Sequence, residues 1–342
     1  DGGLSWTANG GIQRWHSTTG LQTETFSVTL PVTRAEYRQK RFLPAEQRQA
    51  TLGIVEPVTA PDGGVIFAAL GDLYWRTPGG DLRQLTNDAF VERDPAVSPD
   101  GRSLAFISDR GGNMQVWLRD LGSGMDRPVT QMPRGVRYPT FAPDGQSLAF
   151  QQAGARGNQD FTLHRMALSS SVVTAIRAPP LWPGRMGFSA DGQHLLVAAL
   201  TARSARFREG RNVLRAIDLR TGSAATVALP PGLTMDGGPV LSADGRQAAL
   251  TIDGELWLLE LRPDGSAAAP PKRRISGLAD YPSFSADGRT LTWLATGGLR
   301  QTGVAGGRPR ALPVPLHWTP AEGSGRVLIR AGRLFDGTGP EY

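Results

Sequence analysis

The sequence predicts an all-β fold, a ring of four-stranded antiparallel blades that closes into a β-propeller. Three observations predict it. A strand–turn unit recurs along nearly the whole chain, its step has the length of one blade, and the central strand of each copy is apolar on both faces. Copy number favours seven blades, with six as the alternative.

The clearest unit runs from Asp94 to Gly124. Ala96 to Ser98 is a short apolar strand, and Pro99-Asp100-Gly101 is its turn. Proline presets φ, aspartate bonds its own backbone, and glycine takes the left-handed position. Ser103 to Ser108 reads as a second strand and Gln115 to Leu121 as a third, with Gly111-Gly112-Asn113 between them; Arg127 to Thr130 supplies a fourth. The same apolar-x-Ala/Pro-Asp-Gly turn returns at Val58 to Gly63, Phe141 to Gly145, Phe188 to Gly192, Leu241 to Gly245 and Phe284 to Gly288, with a degenerate copy at Trp6 to Gly10. Its acids and amide are Asn9, Asp62, Asp100, Asp144, Asp191, Asp244 and Asp287, in steps of 38 to 53 residues. Seven-fold recurrence makes this turn structural.

In chain order, Asp1 to Leu30 reads as one incomplete blade, and 31–50 as a charged linker or excursion with a short helix at Ala35 to Arg41 or Ala45 to Gln49. Blades follow from Leu52. A polar insertion, Thr201 to Gly210, interrupts the fourth, and Leu316 to Thr319 is a remnant strand that helps close the ring. Runs such as Val65 to Leu70 and Leu256 to Leu261 fit strands sandwiched between neighbouring blades, where burial at about 25 cal/mol per Å² dominates stability. Trp75, Trp117 and Trp257 occupy comparable third-strand positions and are assigned to packing.

These motifs resemble the TolB-type, WD-repeat-like propeller unit, including the Ser108-Asp109-Arg110 that follows the second strand. The resemblance spans 1–322 and implies a periplasmic or secreted protein. The tail is different. Its Val-Leu-Ile-Arg-Ala-Gly-Arg-Leu-Phe-Asp-Gly-Thr-Gly, Val327 to Gly339, resembles the strand and acid-Gly-Thr-Gly turn that open an amidohydrolase-superfamily protein. Residues 323–342 are therefore expected to begin a downstream domain, as in fusions of TolB-like propellers with amidohydrolases. That resemblance implies a hydrolase domain in cis, with a divalent metal held there. Without an initiating methionine, the chain reads as a mature or excised segment.

The chain itself is expected to be non-catalytic. It has no cysteine. His16, His164, His194 and His317 are isolated, so no metal-ligand pair of histidines exists. The nearest approach to a nucleophile elbow, Gly187-Phe188-Ser189-Ala190-Asp191, lacks the last glycine and lies in a blade turn. The glycines sit in hairpins, so no phosphate-binding loop is present and no cofactor is expected. The net charge is +6, with 37 basic against 31 acidic residues. Basic clusters at Arg34 to Arg48, Arg203 to Arg215 and Lys272 to Arg274 lack interleaved aromatics, which points to solvated loops and not to nucleic acid. No stretch is long and apolar enough to span a membrane.

A propeller's usable site is the mouth of its channel. Residues six or seven positions before each turn acid belong there: Val55-Glu56, Arg93-Asp94, Arg137-Tyr138, Gly184-Arg185, Gly237-Gly238 and Asp280-Tyr281. Glu56, Arg93, Asp94, Arg137, Tyr138, Arg185, Asp280 and Tyr281, with Asp236 just outside the register, are the candidate contacts to a ligand, peptide or protein. Three functions follow: a module that flanks, gates or docks onto an amidohydrolase, a free-standing periplasmic binding or scaffold protein, or the lid of a prolyl-oligopeptidase-type peptidase.

Overall fold

A computed structural model describes residues 3–8, 10–29, 31, 48–51, 53–154, 157–202, 210–227, 229–230, 233–319, 328 and 330. The backbone is strand and turn throughout, and no helix occurs among the described residues. Its contacts divide it into two units, Asp1–Gln47 and Arg48–Tyr342.

The larger unit is a β-propeller. Each blade is an up-and-down meander whose strands pair antiparallel in chain order. Blade I is Val55–Thr59, Val65–Ala69, Asp72–Arg76 and Leu82–Gln84; blade II is Glu92–Val97, Ser103–Ser108, Gln115–Asp120 and Asp126–Pro128. Blade III is Val136–Phe141, Ser147–Gly154, Gly157–Ala167 and Val173–Leu181; blade IV is Gly187–Phe188, His194–Ala202, Gly210–Asp218 and Ala224–Val227. Blade V is Val240–Leu241, Gln247–Ile252, Glu255–Glu260 and Lys272–Ile275; blade VI is Asp280–Phe284, Thr290–Ala295, Gly298–Gly303 and Arg310–Leu312. One pair, Leu181 with Ala199, joins the sheets of blades III and IV.

Second strands such as Val65–Ala69 are buried along their whole length because each face packs on a different neighbour. Ile66 and Ala68 face Leu104 and Phe106 of blade II, while Val65 and Phe67 face Leu294 and Leu299 of blade VI. The same alternation continues from II to III, III to IV, IV to V and V to VI. Because blade VI returns onto blade I, the ring closes on six blades, the lower of the two expected counts. A latch crosses that seam: His317–Trp318 pairs with Gln49–Ala50, and Thr51 N–H donates to the Leu316 carbonyl at 2.9 Å. The remnant strand thus pairs with the end of the expected linker and not with Leu4–Glu24; most of that linker lies outside the described residues, as does 323–342 apart from Leu328 and Arg330.

The seventh copy, at Trp6 to Gly10, belongs to the smaller unit. There Leu4–Ala8, Gly11–His16 and Gly20–Glu24 form a three-stranded meander, with Leu4, Trp15 and Leu21 paired across one exposed face. The exposure of that face separates this copy from a blade. In blade IV the expected insertion is partly strand: Thr201 pairs with Arg211 and Ala202 with Gly210, while 203–209 lie outside the described residues.

The recurring turn explains its acid. Ser98 Oγ donates to Asp100 Oδ1 at 2.6 Å and accepts from Ser103 N–H at 2.9 Å, while Asp100 Oδ1 also accepts from Arg102 N–H at 3.0 Å. Gly101, at φ 71°, completes the bend. The same serine–aspartate bond occurs at 2.6 Å in Ser189–Asp191, Ser242–Asp244 and Ser285–Asp287. In each of these turns one carboxylate oxygen accepts from both the serine hydroxyl and the backbone N–H two residues on. Trp75, Trp117 and Trp257 pack against clusters between blades.

Candidate functional site: the propeller channel

Six residues before each turn acid, every blade contributes one residue to the channel: Glu56, Asp94, Tyr138, Arg185, Gly238 and Tyr281. Four of them, Glu56, Asp94, Tyr138 and Tyr281, have φ of 57°, 51°, 53° and 49°. Each precedes a proline, and each sits where its inner strand carries one residue more than its partner. Such a bulge swings a side chain away from the pleat, and proline lacks the N–H that the broken ladder would strand. The left-handed backbone is costly for these residues, most of all before proline, so strain is concentrated at this ring.

On the side of blades I to III the ring forms one charged network. Arg137 Nη2 lies 3.1 Å from Asp94 Oδ1 and its Nε bonds Asp94 Oδ2, which also accepts from Tyr138 N–H at 3.1 Å. Glu56 Oε2 accepts from Asp94 N–H at 2.5 Å, and its Oε1 faces Arg93 Nη2 at 3.2 Å and Arg137 Nη2 at 3.5 Å. The two carboxylates are almost sealed from solvent, at 1% and 4% exposure. Their titration diverges. Burial, followed by the negative charge of Asp94, pushes Glu56 up to about 7. Burial acts on Asp94 too, but the hydrogen bonds and charge of Arg137 outweigh it and hold that carboxyl below its usual range. The Arg137 guanidinium stacks on the Tyr138 ring at 4.6 Å, and burial pushes the Tyr138 hydroxyl up to about 12.

Across the channel the arrangement is different. Arg185, from blade IV, reaches the seam between blades VI and I, where Nη1 donates to the Pro282 carbonyl at 3.2 Å and Nη2 to the Pro57 carbonyl at 2.9 Å. Tyr281 lies under its guanidinium at 5.7 Å. Arg185 has no carboxylate partner among the described residues. It lines two cavities: one of about 330 Å³ on the mouth side, with Tyr138, Asp236, Gly238, Asp280 and Tyr281, and one of about 250 Å³ toward the turns, with Asp94 and Tyr138. Gly238 is glycine because blade IV presses on it. A Cβ there would overlap the Arg185 carbonyl oxygen, and one on Gly184 would stand 2.7 Å from Gly238 N.

The nine expected residues fall in three groups: Glu56, Arg93, Asp94, Arg137 and Tyr138 as a network, Arg185 with Tyr281 as a crossbar, and exposed Asp236 and Asp280 beside the mouth-side cavity. The candidate set omits the close approach at Gly238 and the carbonyls of Pro57 and Pro282. One signal was available: proline stands five residues before the turn acid in every blade except IV, where Met186 takes its place. Among the described residues, no group of three or more histidine, aspartate or glutamate side chains is placed to hold a metal ion.

Comparison with known proteins gives the fold its place. TolB from Acinetobacter baumannii aligns at a TM-score of 0.52 and 19% identity, over 90% of this chain and 80% of that one. A TolB homolog of Chlorobium luteolum is 44% identical over 57 residues. The fold is a TolB-like β-propeller. An uncharacterized peptidase, YuxL, of Bacillus subtilis is 33% identical over 122 residues, or 32% of this chain. The chain spans 19% of the peptidase and 13% of the TolB homolog. No protein-family model matches it.

Proposed function

We propose that this TolB-like propeller is a non-catalytic module that flanks and gates a metal-dependent amidohydrolase domain, and that its channel mouth is the contact for a peptide or protein. The observation that carries the reading is the division of labour along the chain. Residues 49–318 supply every blade and latch strand, whereas the sequence from Val327 to Gly339, with its Asp-Gly-Thr-Gly, matches no copy of the repeat. The module acts by position: a rigid ring presents a narrow charged channel beside a reacting domain, which selects what reaches it. The divalent metal belongs to the hydrolase domain, and the location is periplasmic or secreted. The test is the reading frame past Tyr342. The proposal expects a barrel domain with paired histidine ligands and metal-dependent hydrolysis.

The match to a peptidase supports a second reading, in which the propeller is the lid of a serine peptidase. It expects a G-x-S-x-G elbow in the same place and inhibition by a serine-directed phosphonate.

A further inference from the structure

We infer that the mouth-side cavity is a binding site for a small zwitterion, an amino acid or short peptide with free termini, whose carboxylate is received by Arg185 and whose ammonium group faces Asp236 and Asp280. The inference rests on the channel mouth being the ligand site and holds whichever domain lies beside it.

Arg185 carries the argument. Arg185 is half-buried, and a partly desolvated guanidinium is ordinarily matched by a carboxylate, because two neutral carbonyls do not fully repay the lost hydration of a charge. Here the nearby carboxylates are committed elsewhere: Asp94 to Arg137, and Glu56 to Arg93 and Arg137. Only two of the five N–H donors of Arg185 have partners among the described residues, the carbonyls of Pro282 and Pro57. The guanidinium borders both cavities, so its remaining donors have open space beside them. A planar carboxylate is the anion that fits such a fork.

The rest of the cavity sets the ligand's other end and its size. Asp280 is exposed at the rim and has no partner among the described residues, and Asp236 uses one oxygen to accept from Gly254 N–H at 2.7 Å. Charge therefore runs from negative at the rim to positive within, the reverse of a zwitterion entering carboxylate first. Tyr138 and Tyr281 give the walls flat apolar faces, and Gly184, Gly237 and Gly238 leave them low. A volume of about 330 Å³ lies at the small end of the range for ligand cavities, and excludes a folded partner.

The experiment is calorimetric titration of the full chain at low ionic strength with Ala-Ala, Ala-Ala-amide, N-acetyl-Ala-Ala and alanine. The inference expects Ala-Ala or alanine to bind, which of the two binds more tightly identifying the natural length. Amidation should weaken binding roughly 10- to 100-fold, the scale of a lost charge-assisted bond. Acetylation should weaken it about threefold, because the rim is exposed and screened. Arg185→Gln should abolish the difference between the free and amidated peptides. Because Arg185 also braces the seam, the ligand series on the unaltered protein is the decisive arm. Equal binding of free and amidated peptide would overturn the inference, as would no binding of either free ligand at 10 mM, roughly the weak limit for a site of this size. Neither result bears on whether a hydrolase domain follows Tyr342.

Discussion

Arg137→Met should be among the most damaging single changes on the channel wall. The substitution keeps much of the side chain's length and removes its charge. Asp94, at 4% exposure, then retains the Tyr138 N–H as a donor but loses the two bonds from Arg137. Removing one partner of a buried pair costs about 3–5 kcal/mol, and the partial exposure of Arg137 places this case near 3. In a propeller of this size that corresponds to a drop of about 5 °C in Tm. The assay is thermal unfolding followed by circular dichroism at pH 7, with Asp94→Asn and the double variant alongside. The double variant, Arg137→Met with Asp94→Asn, should recover at least half of the loss, because no charge is then left buried and unpaired. The loss in Arg137→Met should also shrink as pH falls and burial alone drives protonation of Asp94. A drop below about 1 °C, or no recovery in the double variant, would refute the argument that Arg137 neutralises this wall.

Other outcomes follow from the same structure. Glu56 keeps its proton to about 7 when folded but to about 4.5 when unfolded, so its contribution to stability is full below about 4.5 and is lost as pH rises to 7. Glu56→Gln should therefore flatten the stability profile across that window, by roughly 3 kcal/mol at about 1.4 kcal/mol per unit, measured by denaturant unfolding between pH 4.5 and 7.5. Gly238→Val should disrupt the approach of blades IV and V, lowering Tm by about 5 °C or more, since the added carbon has no room against the Arg185 carbonyl. Leu316→Ala, which removes a latch side chain buried between blades VI and I, should cost about 2–4 kcal/mol in the same unfolding assay. Ser189→Ala should cost about 1–2 kcal/mol by unbinding a turn, while leaving peptide titration at the channel unchanged.

Much of the fold was legible because the information is local. A Ser/Ala-x-Asp-Gly turn whose aspartate accepts a backbone N–H satisfies its own backbone, so each copy announces a strand boundary wherever it stands. Blade number was less legible, since the Trp6 copy keeps a degenerate form of the turn sequence while Leu4 and Trp15 stay exposed. The latch was hidden by its length: Gln49–Ala50 is two residues, too short for any period to register. At the site, counting back from the turn acid picks out equivalent inner-strand positions, because the same bulge recurs there in blades I, II, III and VI. It did not reveal which would pair. Arg137 joining Asp94 needs only neighbouring blades, but Arg185 meeting Pro57 and Pro282 depends on the diameter of the ring, which no local pattern encodes.

The most direct test of the central claim is to assay the 342-residue chain beside the protein encoded by its complete reading frame, with and without a chelator, on a panel of amides, lactones and short peptides. The account predicts hydrolysis by the complete protein alone, lost on chelation and restored by a divalent metal. Hydrolysis by the propeller chain itself, or activity of the complete protein that survives chelation, would contradict it.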